Sequence, residues 1–237
     1  MGWKILDTGL ASGEVIMQKD ADLLEKMALE EDPIIHFYQF EKNSATYGHF
    51  LKVKNFFDPI GVEKEGLRLA KRPTGGGIIF HLWDFAFSAL IPATHALFSQ
   101  NTLENYATIN RAVLLAVEEF LQQRGCELTP QDGAILGIGS EHFCMAKPTK
   151  YDVMLGGKKI AGAAQRKTRH GLLHQGSISL MMPSKGFLES VLLPDLRVLD
   201  GMFTFTFPLL GKEASEEDLD AGRVQIKELL KKYLTRV

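Results

Sequence analysis

The chain has 237 residues, 45% of them apolar and 24% charged, with a formal net charge of −2. That is the make-up of an ordinary globular protein, and it carries no electrostatic footprint of a general nucleic-acid binder. No apolar run reaches bilayer length, the opening Met1-Gly2-Trp3-Lys4-Ile5-Leu6-Asp7 lacks a signal-peptide core, and the two cysteines, Cys126 and Cys144, have no paired spacing for a disulfide or zinc; the expectation is a cytoplasmic protein with no membrane, nucleic-acid or metal partner.

Residues 3–6 read as a short strand. Residues 13–30 carry Val15, Ile16, Leu23, Leu24, Met27 and Leu29, the spacing of an amphipathic helix that Pro33 closes. A strand is predicted over 34–40, with 45–49 as its partner across Glu41-Lys42-Asn43-Ser44. Shorter strands at 67–70 and 77–80 flank a glycine-rich turn, and 85–91 reads as a buried strand stopped by Pro92. Residues 101–121 give the clearest helix: Asn101 and Glu104 resemble a capping box, and Gly125 supplies a C-terminal stop. Strands over 151–155 and 158–165 are joined by Gly156-Gly157, a two-residue hairpin turn that needs positive φ. A strand at 172–181 and a helix at 216–234, beginning after Ser215, complete the chain. No repeat or linker interrupts it. Helices outside a cluster of mainly antiparallel strands make an α+β fold, expected as one domain over 1–237 without a separate C-terminal accessory domain.

The densest functional signal is Arg72-Pro73-Thr74-Gly75-Gly76-Gly77-Ile78-Ile79-Phe80-His81. Three adjacent glycines let backbone approach a ligand closely, and the flanking cation and imidazole suit a carboxylate, a phosphate or an acyl carbonyl. A tight turn entering a strand is the plainer account. The run lies between strands, so it is neither a dinucleotide fingerprint nor a P-loop.

A second cluster follows. On the strand after the Gly156-Gly157 turn, alternation puts Lys159, Ala161, Ala163 and Gln165 on one face. Small residues over 161–164 leave space for an apolar tunnel or a bound chain, or else pack tightly on a helix. Lys159 could polarise a carbonyl oxygen or neutralise a phosphate. Cys144, followed by Lys147 and Lys150, sits where positive neighbours favour a thiolate nucleophile; Cys126, at a helix end, reads as a small buried hydrophobe. His142, His170 and His174 read as surface or hydrogen-bonding histidines.

Together the two clusters resemble the lipoate–protein ligase A and octanoyltransferase family, related to biotin–protein ligases. The likeness rests on Lys71 to His81, on Tyr151-Asp152 followed by Gly157-Lys158-Lys159-Ile160-Ala161-Gly162-Ala163-Ala164-Gln165-Arg166, on Trp3 to Gly9, on Phe37-Tyr38-Gln39-Phe40 with Tyr47-Gly48, and on Leu172 to Ile178. It implies a biotin/lipoate-ligase-like catalytic domain that attaches an octanoyl or lipoyl group to a lysine of lipoyl domains, in 2-oxoacid dehydrogenases or the glycine-cleavage H protein. It also implies that Arg72, Gly75, Gly76, Gly77, His81, Gly162 and Ala163 line the substrate pocket, with His81 shaping it, and that Lys159 contacts the activated carbonyl. Lys71 and Leu82 depart from the ligase pattern, and Phe143-Cys144 matches the cysteine-dependent octanoyltransferase branch. The favoured expectation is transfer from octanoyl acyl carrier protein through a Cys144 thioester, without a cofactor. The alternatives are an ATP- and Mg-dependent ligase acting through lipoyl-adenylate, and a non-catalytic acyl-binding module.

Overall fold

In the computed structural model, which describes residues 2–211 and 214–237, the first half of the chain forms β1 (Lys4–Ala11), α1 (Gly13–Lys26), β2 (Ile34–Phe40), β3 (Ser44–Tyr47), α2 (Pro59–Lys64), β4 (Arg68–Lys71), β5 (Ile78–Phe80), β6 (Asp84–Pro92) and α3 (Thr102–Leu121). The second half adds β7 (Glu127–Leu128), β8 (Val153–Leu155), β9 (Lys158–Lys167), β10 (Gly171–Ser179), α4 (Lys185–Val191), α5 (Val198–Phe205) and α6 (Glu216–Leu234). One sheet has the order β1-β2-β6-β10-β9-β8-β7, and a smaller one the order β4-β3-β5. Among the strands of the described residues only β1–β2 and β3–β4 pair in parallel, so the expected mainly antiparallel α+β architecture is present. No helix of the described residues is long and apolar enough to cross a membrane.

The large sheet is covered on both faces, which is why every residue of β6 and β10 is buried and β6 reads as a largely apolar run. Odd-numbered Ile35, Phe37, Phe85, Phe87, Ala89 and Ile91 pack against Ile109, Val113 and Val117 of α3 and Ile226 and Leu230 of α6. Even-numbered neighbours face the other way, where α1 contributes Ile16, Met17 and Leu24, joined by Met27 at its C-cap. The small sheet builds its own core from Ile78, Phe80, Phe143, Met145 and Leu188. The polar side chains of β6 and β10 that face α1 and the small sheet are therefore shut between two apolar layers.

Three expectations need correction. The strand at 45–49 is not the partner of β2: both edges of β2 are occupied, by β1 and β6, and Ser44–Tyr47 pairs with β4 and β5 in the other sheet. Gly125 does not end α3; Gln122 takes the left-handed cap at φ 51, and the Gly125 N–H is held further on by the Glu118 carboxylate at 2.9 Å. The simple alternation along β9 also fails. Val153 pairs with Ala161 but Met154 with Lys159, so Ile160 is an extra residue in the strand. That bulge puts Lys159 on the face of Gly162 instead of Ala161. The Gly156-Gly157 turn stands as expected, at φ 56 and 76.

Candidate active site

The glycine run is held by its own arginine. Arg72 is buried, and its Nη1 donates to Thr46 Oγ1 (2.9 Å) and the Thr46 carbonyl (3.2 Å), while Nη2 donates to the carbonyls of Gly75 (3.0 Å) and Gly77 (2.7 Å). Bonds from a charged donor are stronger than neutral ones, so Arg72 acts here as a strut that folds the loop back on itself. Its Nε is buried without a partner. Two of the three glycines are required by the structure, for different reasons. Gly76 has φ 85, and a Cβ at Gly77 would lie 2.1 Å from the His142 carbonyl oxygen, whereas nothing comes within 4 Å of a Cβ at Gly75.

That close approach at Gly77 delivers the cysteine. A single 3₁₀ turn, Ser140–His142, leads into Phe143, which bridges in parallel to Ile78; the Cys144 N–H then donates to the Ile78 carbonyl at 2.9 Å. Cys144 is partly buried, and its Sγ lies 4.0 Å from where a Gly76 Cβ would be. Cys144, Arg72, His81, Gly162 and Ala163 all border one cavity, whose empty volume including its open mouth is about 420 Å³. A larger hollow of about 660 Å³ lies beyond His81, but its wall carries Asp7, Arg223 and Lys227, an ionic lining unsuited to an apolar chain.

Lys159 is fully buried beside this cavity. Its ammonium donates to the Cys144 carbonyl at 2.6 Å, pairs with Asp152 Oδ2 at 2.7 Å and lies 3.5 Å from the Lys147 carbonyl. Asp152 is itself fixed by the Tyr106 hydroxyl (2.7 Å) and by the N–H and hydroxyl of Thr149. Gly162 makes room for the lysine: a Cβ there would stand 2.5 Å from Lys159 Cε.

Over residues 13–195 the sequence matches the family described as the lipoyl protein ligase A/B catalytic domain. The chain belongs to that family. An octanoyltransferase LipM of Anoxybacillus flavithermus is 28% identical over 202 residues, covering 83% of this chain and 72% of the relative. Octanoyltransferase LipM of Bacillus subtilis is 25% identical over 239 residues, covering 98% and 80%. Among solved structures, a lipoate-protein ligase A bound with ATP superposes with a TM-score of 0.71 at 21% identity, over 97% of this chain and 86% of that one. The bipartite lipoate protein ligase of Thermoplasma acidophilum gives 0.68 at 21%, over 97% and 84%. At such identity these structures establish the fold, which is that of the lipoyl protein ligase A/B catalytic domain.

Within this family fold, His81 is stacked on Phe40 at 3.9 Å and has both ring nitrogens engaged, Nδ1 with Asp84 Oδ2 at 2.8 Å and Nε2 with Thr46 Oγ1 at 2.8 Å. Asp84 Oδ2 also accepts from Ser177 at 2.6 Å. Of the expected residues, Arg72, His81, Cys144, Gly162 and Ala163 line the cavity, whereas Gly75, Gly76, Gly77 and Lys159 lie off its lining; Arg72, Lys159 and His81 are tied into protein contacts. Of the two roles expected for His174, the hydrogen-bonding one holds and the surface one does not: it is fully buried, its Nδ1 lies 2.9 Å from the Gln165 side-chain amide, and burial pushes its pKa down to about 3. Burial likewise pushes the Cys126 thiol up to about 11, which keeps it protonated and unreactive at neutral pH. Sequence reasoning missed Asp84, Thr46, Asp152 and Asp20 as site-building groups. Asp152 stood in the family motif without a role, and Asp20 left a signal because it lies within the buried stripe Ile16, Met17, Leu24 of α1.

Proposed function

We propose that this chain is an octanoyltransferase of the lipoyl protein ligase A/B family, acting through a Cys144 thioester. The observation that carries the reading is the placement of Cys144 on the wall of the acyl-sized cavity, its Sγ 4.0 Å from a Cβ at Gly76 and its carbonyl held by Lys159. The thiolate of Cys144 attacks the thioester carbonyl of an octanoyl carrier protein; the C–S bond to the carrier breaks, and the carrier thiol leaves with a proton. The amine of a lipoyl-domain lysine then attacks the acyl-enzyme, an amide forms, and the Cys144 thiol is restored. One thioester replaces another in the first step, so neither ATP nor Mg is required. Lys159 and the loop amides supply the oxyanion donors, a contribution typically of about 3 kcal/mol for each donor.

The relatives named as octanoyltransferases support this reading, and so does the state of the cations. An adenylate route needs Arg72 to hold a phosphate, yet its Nη1 is spent on Thr46 and its Nη2 on the carbonyls of Gly75 and Gly77. The octanoyl chain lies along Ile79, Met145 and Ser177, which this cavity shares with a second, apolar one walled by Trp83, Phe143 and Met202. The test is an intact mass after incubation with octanoyl carrier protein in the absence of ATP. The wild type gains one octanoyl group and Cys144→Ala gains none. ATP-dependent labelling of a lipoyl domain with lipoate, without any acyl-enzyme, would replace this reading by the ligase.

A further inference from the structure

One side chain ties the glycine loop to the large sheet across the cavity. Thr74, fully buried, donates its hydroxyl to Gln175 Oε1 on β10 at 2.7 Å, joining residues 101 apart in sequence. Gln175 Nε2 donates to Asp20 Oδ2 at 2.6 Å. An ionised carboxylate only accepts hydrogen bonds, so Asp20 dictates which end of the Gln175 amide faces Thr74. Asp20 is in turn held by His36 Nδ1 at 2.7 Å and Ser88 Oγ at 2.6 Å. Gln175 borders the same cavity as Cys144 and Gly162.

We propose that Thr74 and Gln175 are positioning residues which fix the gap between the glycine loop and the β9–β10 wall, and that Asp20 sets the orientation of Gln175. The physical reason is that Arg72 braces the loop against its own carbonyls and Thr46, all within the small sheet, and that bare glycines offer no side-chain packing of their own. The Thr74–Gln175 bond is what registers that loop against Ala164, which stands 3.6 Å from a Cβ at Gly76. The cavity width, and so the fit of an acyl chain beside Cys144, follows from it. Ser88 links the same network to Tyr38, whose hydroxyl lies 2.9 Å from Ser88 Oγ and whose ring borders the cavity.

This inference rests on the reading of the cavity as an acyl site, and two measurements separate the two claims. The first is the affinity of the full chain for octanoate by calorimetry; the second is the rate of Cys144 acylation by octanoyl carrier protein. Thr74→Val keeps the shape and removes the hydroxyl, and is expected to weaken octanoate binding and slow acylation by about tenfold, the worth of one buried neutral hydrogen bond. Thr74→Ser restores the hydroxyl and is expected to lie within about threefold of the wild type. Gln175→Met serves where Thr74→Val is poorly folded, and should reproduce its loss. A wild type that binds octanoate but is not acylated would sink the transfer reading while leaving this one to the affinities. Equal affinity in Thr74→Val and the wild type, equal loss in Thr74→Ser and Thr74→Val, or no octanoate binding by the wild type would each overturn the positioning role.

Discussion

At the scale of single residues, the Lys159–Asp152 pair is the feature most exposed to substitution. Removing the ammonium in Lys159→Ala leaves a buried carboxylate unpaired, a destabilisation of roughly 3–5 kcal/mol, and is expected to abolish acyl transfer. Full activity in that variant would refute the role given to Lys159. Gly162→Ala is the cleaner probe, because its Cβ would stand 2.6 Å from Lys159 Nζ and 2.8 Å from Asp152 Oδ1. Single-turnover acylation should fall by about 10²-fold, as when one oxyanion donor is displaced, with both charges still present. His174 predicts a pH effect. Its folded pKa of about 3 lies below the ordinary 6.5, so the unfolded chain takes up the proton first. The stability it contributes is full above pH 6.5 and is lost as pH falls towards 3, at up to about 1.4 kcal/mol per pH unit. Denaturation midpoints measured between pH 6.5 and 5 should slope less in His174→Phe; an unchanged slope would remove His174 as the cause.

At the scale of elements, α6 shows local chemistry and packing in agreement. Ser215 Oγ accepts from the Asp218 N–H at 3.1 Å and Asp218 Oδ2 accepts from the Ser215 N–H at 2.8 Å, while Leu219, Ile226 and Leu230 face the core. Ser215→Ala should lower stability by about 1 kcal/mol in urea without changing acylation, since the cap lies away from Cys144. Strand β2 and helices α3 and α6 were legible because periodicity and caps are written in consecutive residues. The pairing of β3 was not, because a strand's partner depends on which edges other strands have already taken. The bulge at Ile160 was equally hidden. A strict period of two predicts Lys159 and Ala161 together, and one unpaired residue reverses that for everything before it.

At the scale of the whole molecule, the two sheets meet at the cavity, and each supplies part of it. Core residues of α6 pack with those of α3 and β6, and the Phe143–Ile78 bridge joins the cysteine segment to the small sheet. Residues 1–237 are therefore expected to unfold as one domain, in a single calorimetric transition that octanoate shifts upward; two resolved transitions would divide the chain instead. The sequence by itself determined the candidates for chemistry: the glycine run, Cys144 and Lys159, which the proposed function uses, stand out because loops that approach a ligand need runs of glycine, and a nucleophile or a cation cannot be exchanged for other residue types. Tertiary structure alone decided how those groups are held. Arg72 and Lys159 brace protein carbonyls, and Asp20, 0% exposed on α1, accepts a hydrogen bond from an amide on β10, because buried polar groups must find partners wherever the fold brings them, at separations no local pattern records.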